Sequence, residues 1–143
     1  MFRIAVLASG RGTNLQALLD AQARGDLGDA SIQLVLSDIP DANALTRAQD
    51  AGVEARFIDP EGLSREAYDR ELVAAIGDEI DLVVLAGFMR ILSPTFLSSF
   101  PRRIVNIHPS LLPSFPGLHA QRQALEAGAR IAGATTHFVD EEV

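Results

Sequence analysis

The chain has 143 residues, 48% of them hydrophobic and 22% charged, which suits one ordinary globular domain with a buried core and not a disordered segment. It has no cysteine and all of its 12 basic residues are arginine, so disulfides, thiolate nucleophiles, cysteine-ligated zinc, Schiff-base lysines and a Walker-type phosphate lysine are excluded together. A formal charge of -7 argues against a nucleic-acid partner, no apolar run reaches the roughly 18 residues of a membrane span, and the N-terminus has no long hydrophobic run after a basic start. The expectation is a cytoplasmic protein that works by acid–base and electrostatic chemistry, with a small anionic substrate still open.

Arg3 to Ala8 is a continuous apolar run of the kind buried on both faces of a parallel sheet, and it leads directly into S-G-R-G-T-N-L-Q. Thr13 followed by Gln16 has the spacing of a capping box, which predicts a helix through Leu15, Leu18 and Leu19. Strand, glycine loop and helix N-terminus in succession suit a phosphate: Gly10 and Gly12 allow close backbone approach, and the amides of Gly12, Thr13 and Asn14 would face the anion. A bare strand-to-helix turn is the plain alternative. A dinucleotide site, with Asp38 as the ribose acid, is a third, weakened by Leu15 standing where G-x-G-x-x-G needs its last glycine.

Ile32 to Ser37 predicts the second strand, Asn43 to Ala51 a short helix ending near Gly52, and Val53 to Ile58 the third strand. Ser64 is placed to cap a longer helix whose Tyr68, Leu72, Ile76 and Ile80 recur every four residues as a buried stripe, leaving Arg65, Glu66, Asp69, Arg70 and Glu71 as its solvated face. Asp81 to Ala86 is the most apolar strand and therefore the expected centre of the sheet. After it comes G-F-M-R-I-L, whose Phe88, Met89, Ile91 and Leu92 suit either core or one wall of a flat heterocycle pocket. Ser93 and Pro94 then open the next helix as N-cap and first residue.

The stretch from Arg103 to His119, R-I-V-N-I-H-P-S-L-L-P-S-F-P-G-L-H, concentrates the chemistry. Ile104, Val105 and Ile107 predict a short buried strand stopped by Pro109, and its period of two sends Asn106 and His108 to the same side at the C-terminal end, where open parallel sheets keep their ligands. An amide donor beside an imidazole suits carbonyl chemistry. It equally suits a loop cap and a satisfied strand end. Ala120 to Ala127 predicts a helix stopped by Gly128, and Ala134 to Val139 a last strand. His119 and His137 are read as structural. Alternating strands and helices give an α/β, doubly wound, mostly parallel sheet in a single domain, residues 1–143.

In order along the whole chain, S-G-R-G-T-N-L-Q, S-R-E-A-Y-D-R-E-L, L-A-G-F-M-R-I-L-S-P, N-I-H-P-S-L-L-P-S-F-P-G-L-H and T-T-H-F-V resemble the phosphoribosylglycinamide formyltransferase family of folate-dependent formyltransferases. The resemblance implies a Rossmann-like formyltransferase fold. It also implies transfer of the formyl group of 10-formyltetrahydrofolate, as co-substrate, to the amine of glycinamide ribonucleotide in purine biosynthesis, with no metal. Position by position, it makes His108 the general acid and Asn106 the amide that holds the formyl oxygen. Gly12, Thr13 and Asn14 become phosphate contacts. Arg65, Met89, Arg90, Ile91 and Leu92 become folate contacts together with Asn106, which overrides the solvated reading of Arg65. The tRNA-directed relatives continue after S-L-L-P with W-R-G-A-A-P, where this chain has S-F-P-G-L-H.

The family carries a further acidic residue in a D-x-G-P-type segment shortly after the strand matching T-T-H-F-V, and the chain ends at Val143 before any such segment. Asp140, Glu141 and Glu142 do not match its spacing. The resemblance thus implies a domain without the family's C-terminal portion, and little turnover from the 143 residues alone. The alternatives are a formyltetrahydrofolate hydrolase, sharing His108 and Asn106 with water as acceptor, and a ligand-binding module without turnover. Monomer and homodimer are both left open.

Overall fold

The computed structural model describes residues 1–108, 119–129 and 135–139. The elements run β1 (Phe2–Leu7), α1 (Thr13–Ala23), β2 (Ala30–Ser37), α2 (Asn43–Asp50), β3 (Glu54–Phe57), α3 (Arg65–Ile76), β4 (Leu82–Leu85), α4 (Pro94–Ser99), β5 (Ile104–His108), α5 (Ala120–Glu126) and β6 (Thr135–Phe138). The strands form one sheet in the order β3-β2-β1-β4-β5-β6, parallel except for β6, which runs antiparallel to β5. β1 and β4 are the two central strands. Because the chain leaves β1 outward toward β3 and returns as β4 on the other side, the strand order reverses between them.

The apolar runs predicted as doubly buried are so. Ile4, Val6 and Ala8 of the first strand and its exit, with Val35 and Val84, pack on Leu15 and Leu19 of α1 and Ala44, Leu45 and Ala48 of α2. Ala5, Leu7, Leu36, Val83, Leu85 and Ile104 face the other way, onto Tyr68, Leu72 and Ile76 of α3 and Phe96 of α4. A register shift between Ile4 and Ala5 keeps the faces aligned: Ile4 pairs with Ile32 and Ala5 with Leu34, so Gln33 is passed over and stays exposed. Arg56, Leu36, Leu7, Leu85, Asn106 and His137 are successive Cα partners across all six strands, placing Asn106 level with the ends of the central strands.

Two helix starts follow the sequence reading and one departs from it. Ser64 caps α3, its hydroxyl accepting from Ala67 N at 3.1 Å, and Ser93 and Pro94 open α4. The capping box expected at Thr13 does not form. Gly12 is the N-cap of α1, with φ 75°, and Gln16 spends its side chain on Asp20 and Arg47. Ile80 is buried but lies beyond the end of α3. Among the described residues, no helix is long and apolar enough to cross a membrane. Pro109, the S-L-L-P-S-F-P-G run and Asp140 to Glu142 lie outside the described residues, as does the His108 side chain.

Candidate active site at the switch between β1 and β4

The C-terminal ends of β1 and β4 are joined beyond the last ladder residues. Ala86 N donates to Leu7 O at 2.9 Å, Ser9 N to Gly87 O at 3.2 Å, and Met89 N to the Ser9 hydroxyl oxygen at 2.8 Å. Ser9 is itself buried, so the glycine loop after β1 and the loop after β4 are held as neighbours by one small side chain.

The glycine loop is fixed largely through backbone. Gly12 has a left-handed φ, and a Cβ placed on it would stand 2.8 Å from the Ala44 Cα, a distance real Cβ atoms essentially never show. Gly12 is therefore glycine for two structural reasons, the turn and the close approach to α2. Gly10 O accepts from Ala44 N at 3.3 Å, and the Arg47 side chain of α2 donates from Nε to Arg11 O at 2.7 Å. Gly10 itself has none of the described residues within 4 Å of its missing Cβ. The first N–H groups of α1 have no intrahelical acceptors, and among the described residues no side chain caps them. Thr13 and Asn14 are exposed there. The N-terminus of this 11-residue helix thus presents uncapped amides at the sheet edge. Leu15, in the place of a third Rossmann glycine, is fully buried core, and Asp38 is buried at the end of β2.

The loop after β4 is fixed by side chains and divides the apolar residues that the sequence left undecided. Phe88 and Leu92 pack against the α3–α4 core, whereas Met89 and Ile91 are 58% and 64% exposed. Arg90 lies with its guanidinium 4.4 Å from the Tyr68 ring centroid. Tyr68 is fully buried and donates its hydroxyl to Ile58 O at 2.7 Å. Burial, then the nearby charge of Asp38, push its phenol far above the ordinary value, with Arg90 acting the other way.

Asp69 overturns its reading as part of a solvated face. It is 2% exposed, and its carboxylate accepts from Ser93 N at 2.6 Å in a buried hydrogen bond that ties α3 to the start of α4. Its place was visible in the spacing, because Asp69, Leu72 and Ile76 fall at i, i+3 and i+7 and so share the buried stripe. Ser9 and Tyr68 were likewise missed as supports of the loop. Arg65, by contrast, stands exposed at the first position of α3 with no hydrogen bond or ion pair among the described residues.

On β5, Asn106 is half-buried and has Leu85 and His137 as its Cα partners, and His108 is the last residue of the strand, opposite Thr135. His137 is half-buried on β6, its Nδ1 3.0 Å from Phe138 O. The edge therefore gathers uncapped helix amides, outward apolar side chains beside an arginine, and an amide two residues from a histidine on one strand.

A structure titled glycinamide ribonucleotide transformylase 1, from Geobacillus kaustophilus, superposes with a TM-score of 0.94 at 47% identity, covering 99% of this chain and 76% of that one. Phosphoribosylglycinamide formyltransferase of Escherichia coli strain K12 is 49% identical over 142 residues, 98% of this chain and 66% of its own length. The trifunctional purine biosynthetic protein adenosine-3 of Drosophila melanogaster is 51% identical over 144 residues, 99% of this chain and 11% of its own length. The chain thus spans just under two thirds of the first relative and about a tenth of the second. The family described as Formyl transferase matches residues 2–143, and the chain belongs to that family.

Proposed function

We propose that this chain carries the site that moves a formyl group from 10-formyltetrahydrofolate to the amine of glycinamide ribonucleotide in purine biosynthesis. The observation that carries the reading is the meeting, at one sheet edge, of an uncapped helix N-terminus, an outward apolar loop with an arginine, and the Asn106–His108 strand end, in a member of the formyl transferase family. The first suits a phosphate, the second a flat heterocycle, and the third the carbonyl between them. The reactants are small molecules and the compartment proposed is the cytoplasm.

Transfer between two amines forms one C–N bond, breaks another and moves one proton from the attacking to the leaving nitrogen. The amides of Gly12, Thr13 and Asn14 hold the ribonucleotide phosphate at the end of α1. The chain has no lysine for that task, and the helix dipole favours the negative charge. Arg65 and the Met89–Leu92 run hold the folate: Met89 and Ile91 present the apolar surface a ring stacks on, and the arginines meet its carboxylates. Asn106 donates its amide N–H to the formyl oxygen as charge develops there, and His108 gives a proton to the leaving nitrogen as general acid and is reprotonated by the one the attacking nitrogen loses.

The test is formylfolate consumption, followed by absorbance, with and without the ribonucleotide, in the protein carrying this chain. Turnover should depend on the ribonucleotide; consumption without it points to the hydrolase, and folate binding without consumption to a binding module. Asn106→Ala should lower kcat/KM by about 2.7–4 kcal/mol, the usual effect of losing one oxyanion donor. His108→Ala should lower kcat far more than it weakens either ligand. Near-normal turnover in either variant removes that residue from the mechanism.

A further inference from the structure

The loop between β4 and α4 is held by two consecutive residues of α3 that face it from below. Tyr68 offers its ring to Arg90 and ties its hydroxyl to Ile58 O at the end of β3; Asp69 takes the Ser93 amide at 2.6 Å. Ser9 takes the Met89 amide from the other side. The outward Met89 and Ile91, with Arg90 between them, are therefore suspended between a bond at Met89 and a bond at Ser93, with a ring beneath the middle residue. Only the Asp69 bond is made by a charged group buried to 2% exposure, where a hydrogen bond to a carboxylate is stronger than a neutral one.

The start of α4 has no other anchor of this kind. Ser93 is the N-cap, yet its hydroxyl makes no capping bond and is buried without a partner among the described residues, and Pro94 has no N–H to give. Asp69 thus brings to the N-terminus of α4 the negative group that its own first turn lacks. The neighbouring contact, Thr95 Oγ1 donating to Glu66 at 3.0 Å, is exposed and contributes less.

We propose that Asp69 is a positioning residue for the folate side of the site, setting the height of the Met89–Ile91 run by fixing Ser93, while the phosphate side does not depend on it. The proposal rests on the formyl-transfer reading for its ligand, and on geometry alone for the clamp. Asp69→Ala removes the acceptor. Asp69→Asn keeps an acceptor oxygen of similar reach. Ser93→Pro deletes the same bond from the donor side at a φ of -82°, which proline accepts.

Asp69→Ala and Ser93→Pro should each raise the KM for formylfolate by roughly tenfold or more, the scale of one buried hydrogen bond to a charge, with the ribonucleotide KM within about twofold of the parent. Asp69→Asn, which keeps the acceptor but not the charge, should restore part of the difference. Amide hydrogen exchange, measured without substrates, should quicken in Asp69→Ala at Met89 and the loop and stay unchanged at Gly12 to Asn14. Equal rises in both KM values, an Asn variant no better than Ala, or unchanged exchange at Met89 would each overturn the proposal. Should Asp69→Ala not fold, Ser93→Pro decides by the same split. A parent that consumed no formylfolate would remove the ligand assignment, and the exchange experiment would still decide the clamp.

Discussion

The loop after β1 and the loop after β4 end side by side at the same edge, yet they are held in different ways. The first is held largely backbone on backbone, Gly12 against the Ala44 Cα and Gly10 O on the Ala44 amide, with one side-chain bond from Arg47 to Arg11 O. The second hangs from side chains, the Ser9 hydroxyl, the Tyr68 ring and the Asp69 carboxylate, with Met89 and Ile91 turned outward. A phosphate needs several amides at fixed angles, and only a rigid backbone provides them without side-chain motion. A flat ring asks for apolar area, and the outward Met89 and Ile91 of the anchored loop supply it.

The strongest way to break this contrast is Gly12→Val. A β-branched residue at φ 75° costs about 1–2 kcal/mol in conformational strain, and overpacking against Ala44 adds about 1–3 kcal/mol. The expected outcome is a large fall in the denaturation midpoint and loss of both ligands, because α1 and α2 separate. From the sequence alone, Gly12→Val would be expected to block only the ribonucleotide. The contact with Ala44 makes it a folding variant, and selective loss of ribonucleotide binding at parental stability would show that the loop is less tightly packed than described.

Tyr68→Phe is milder and acts on the other loop. It removes the bond to Ile58 O, for a loss of about 0.5–1.5 kcal/mol near neutral pH, while leaving a ring beneath Arg90. Its pH dependence is sharper. The phenol ionises harder in the folded chain than in the unfolded one, so its stabilisation is complete below the ordinary value of 10.0 and is withdrawn as pH rises above it. The part of the alkaline decline that the parent shows and Tyr68→Phe lacks belongs to this phenol. Chemical denaturation between neutral pH and the alkaline range should show it in the parent and not in the variant.

The smallest effect on stability is expected from Gly10→Ala, within about 0.5 kcal/mol, since none of the described residues lies within 4 Å of the added Cβ. Its use is to sharpen the comparison. Ribonucleotide affinity should fall while folate affinity stays level, and calorimetric titration of each ligand separates the two. Unchanged ribonucleotide affinity would place the phosphate away from this loop.

What the sequence discloses here is what local chemistry decides. The buried runs of β1 and β4, the Ser64 cap and the Ser93–Pro94 start follow from propensity, spacing and the missing proline N–H, and the expected phosphate loop and strand end do lie at one edge. What depends on a distant partner was not legible. Thr13 and Gln16 have the spacing of a capping box, but the turn against Ala44 moves the cap to Gly12. Asp69 falls on the buried stripe by its spacing, but the donor that makes a carboxylate tolerable there, Ser93 N, lies 24 positions away. The reversal of β6 also has no local signature in T-T-H-F.

Tyr68 is the sole tyrosine of these residues and there is no tryptophan, so their ultraviolet emission comes almost entirely from one ring. That ring sits under the β4–α4 loop with a guanidinium 4.4 Å from its centroid. Any ligand that draws Arg90 upward changes the quenching of this fluorophore, whereas a phosphate arriving at α1 leaves it unaltered. These residues therefore carry their own label beneath the β4–α4 loop. Rapid mixing with each ligand in turn would show, as an optical transient, which of them reaches Arg90.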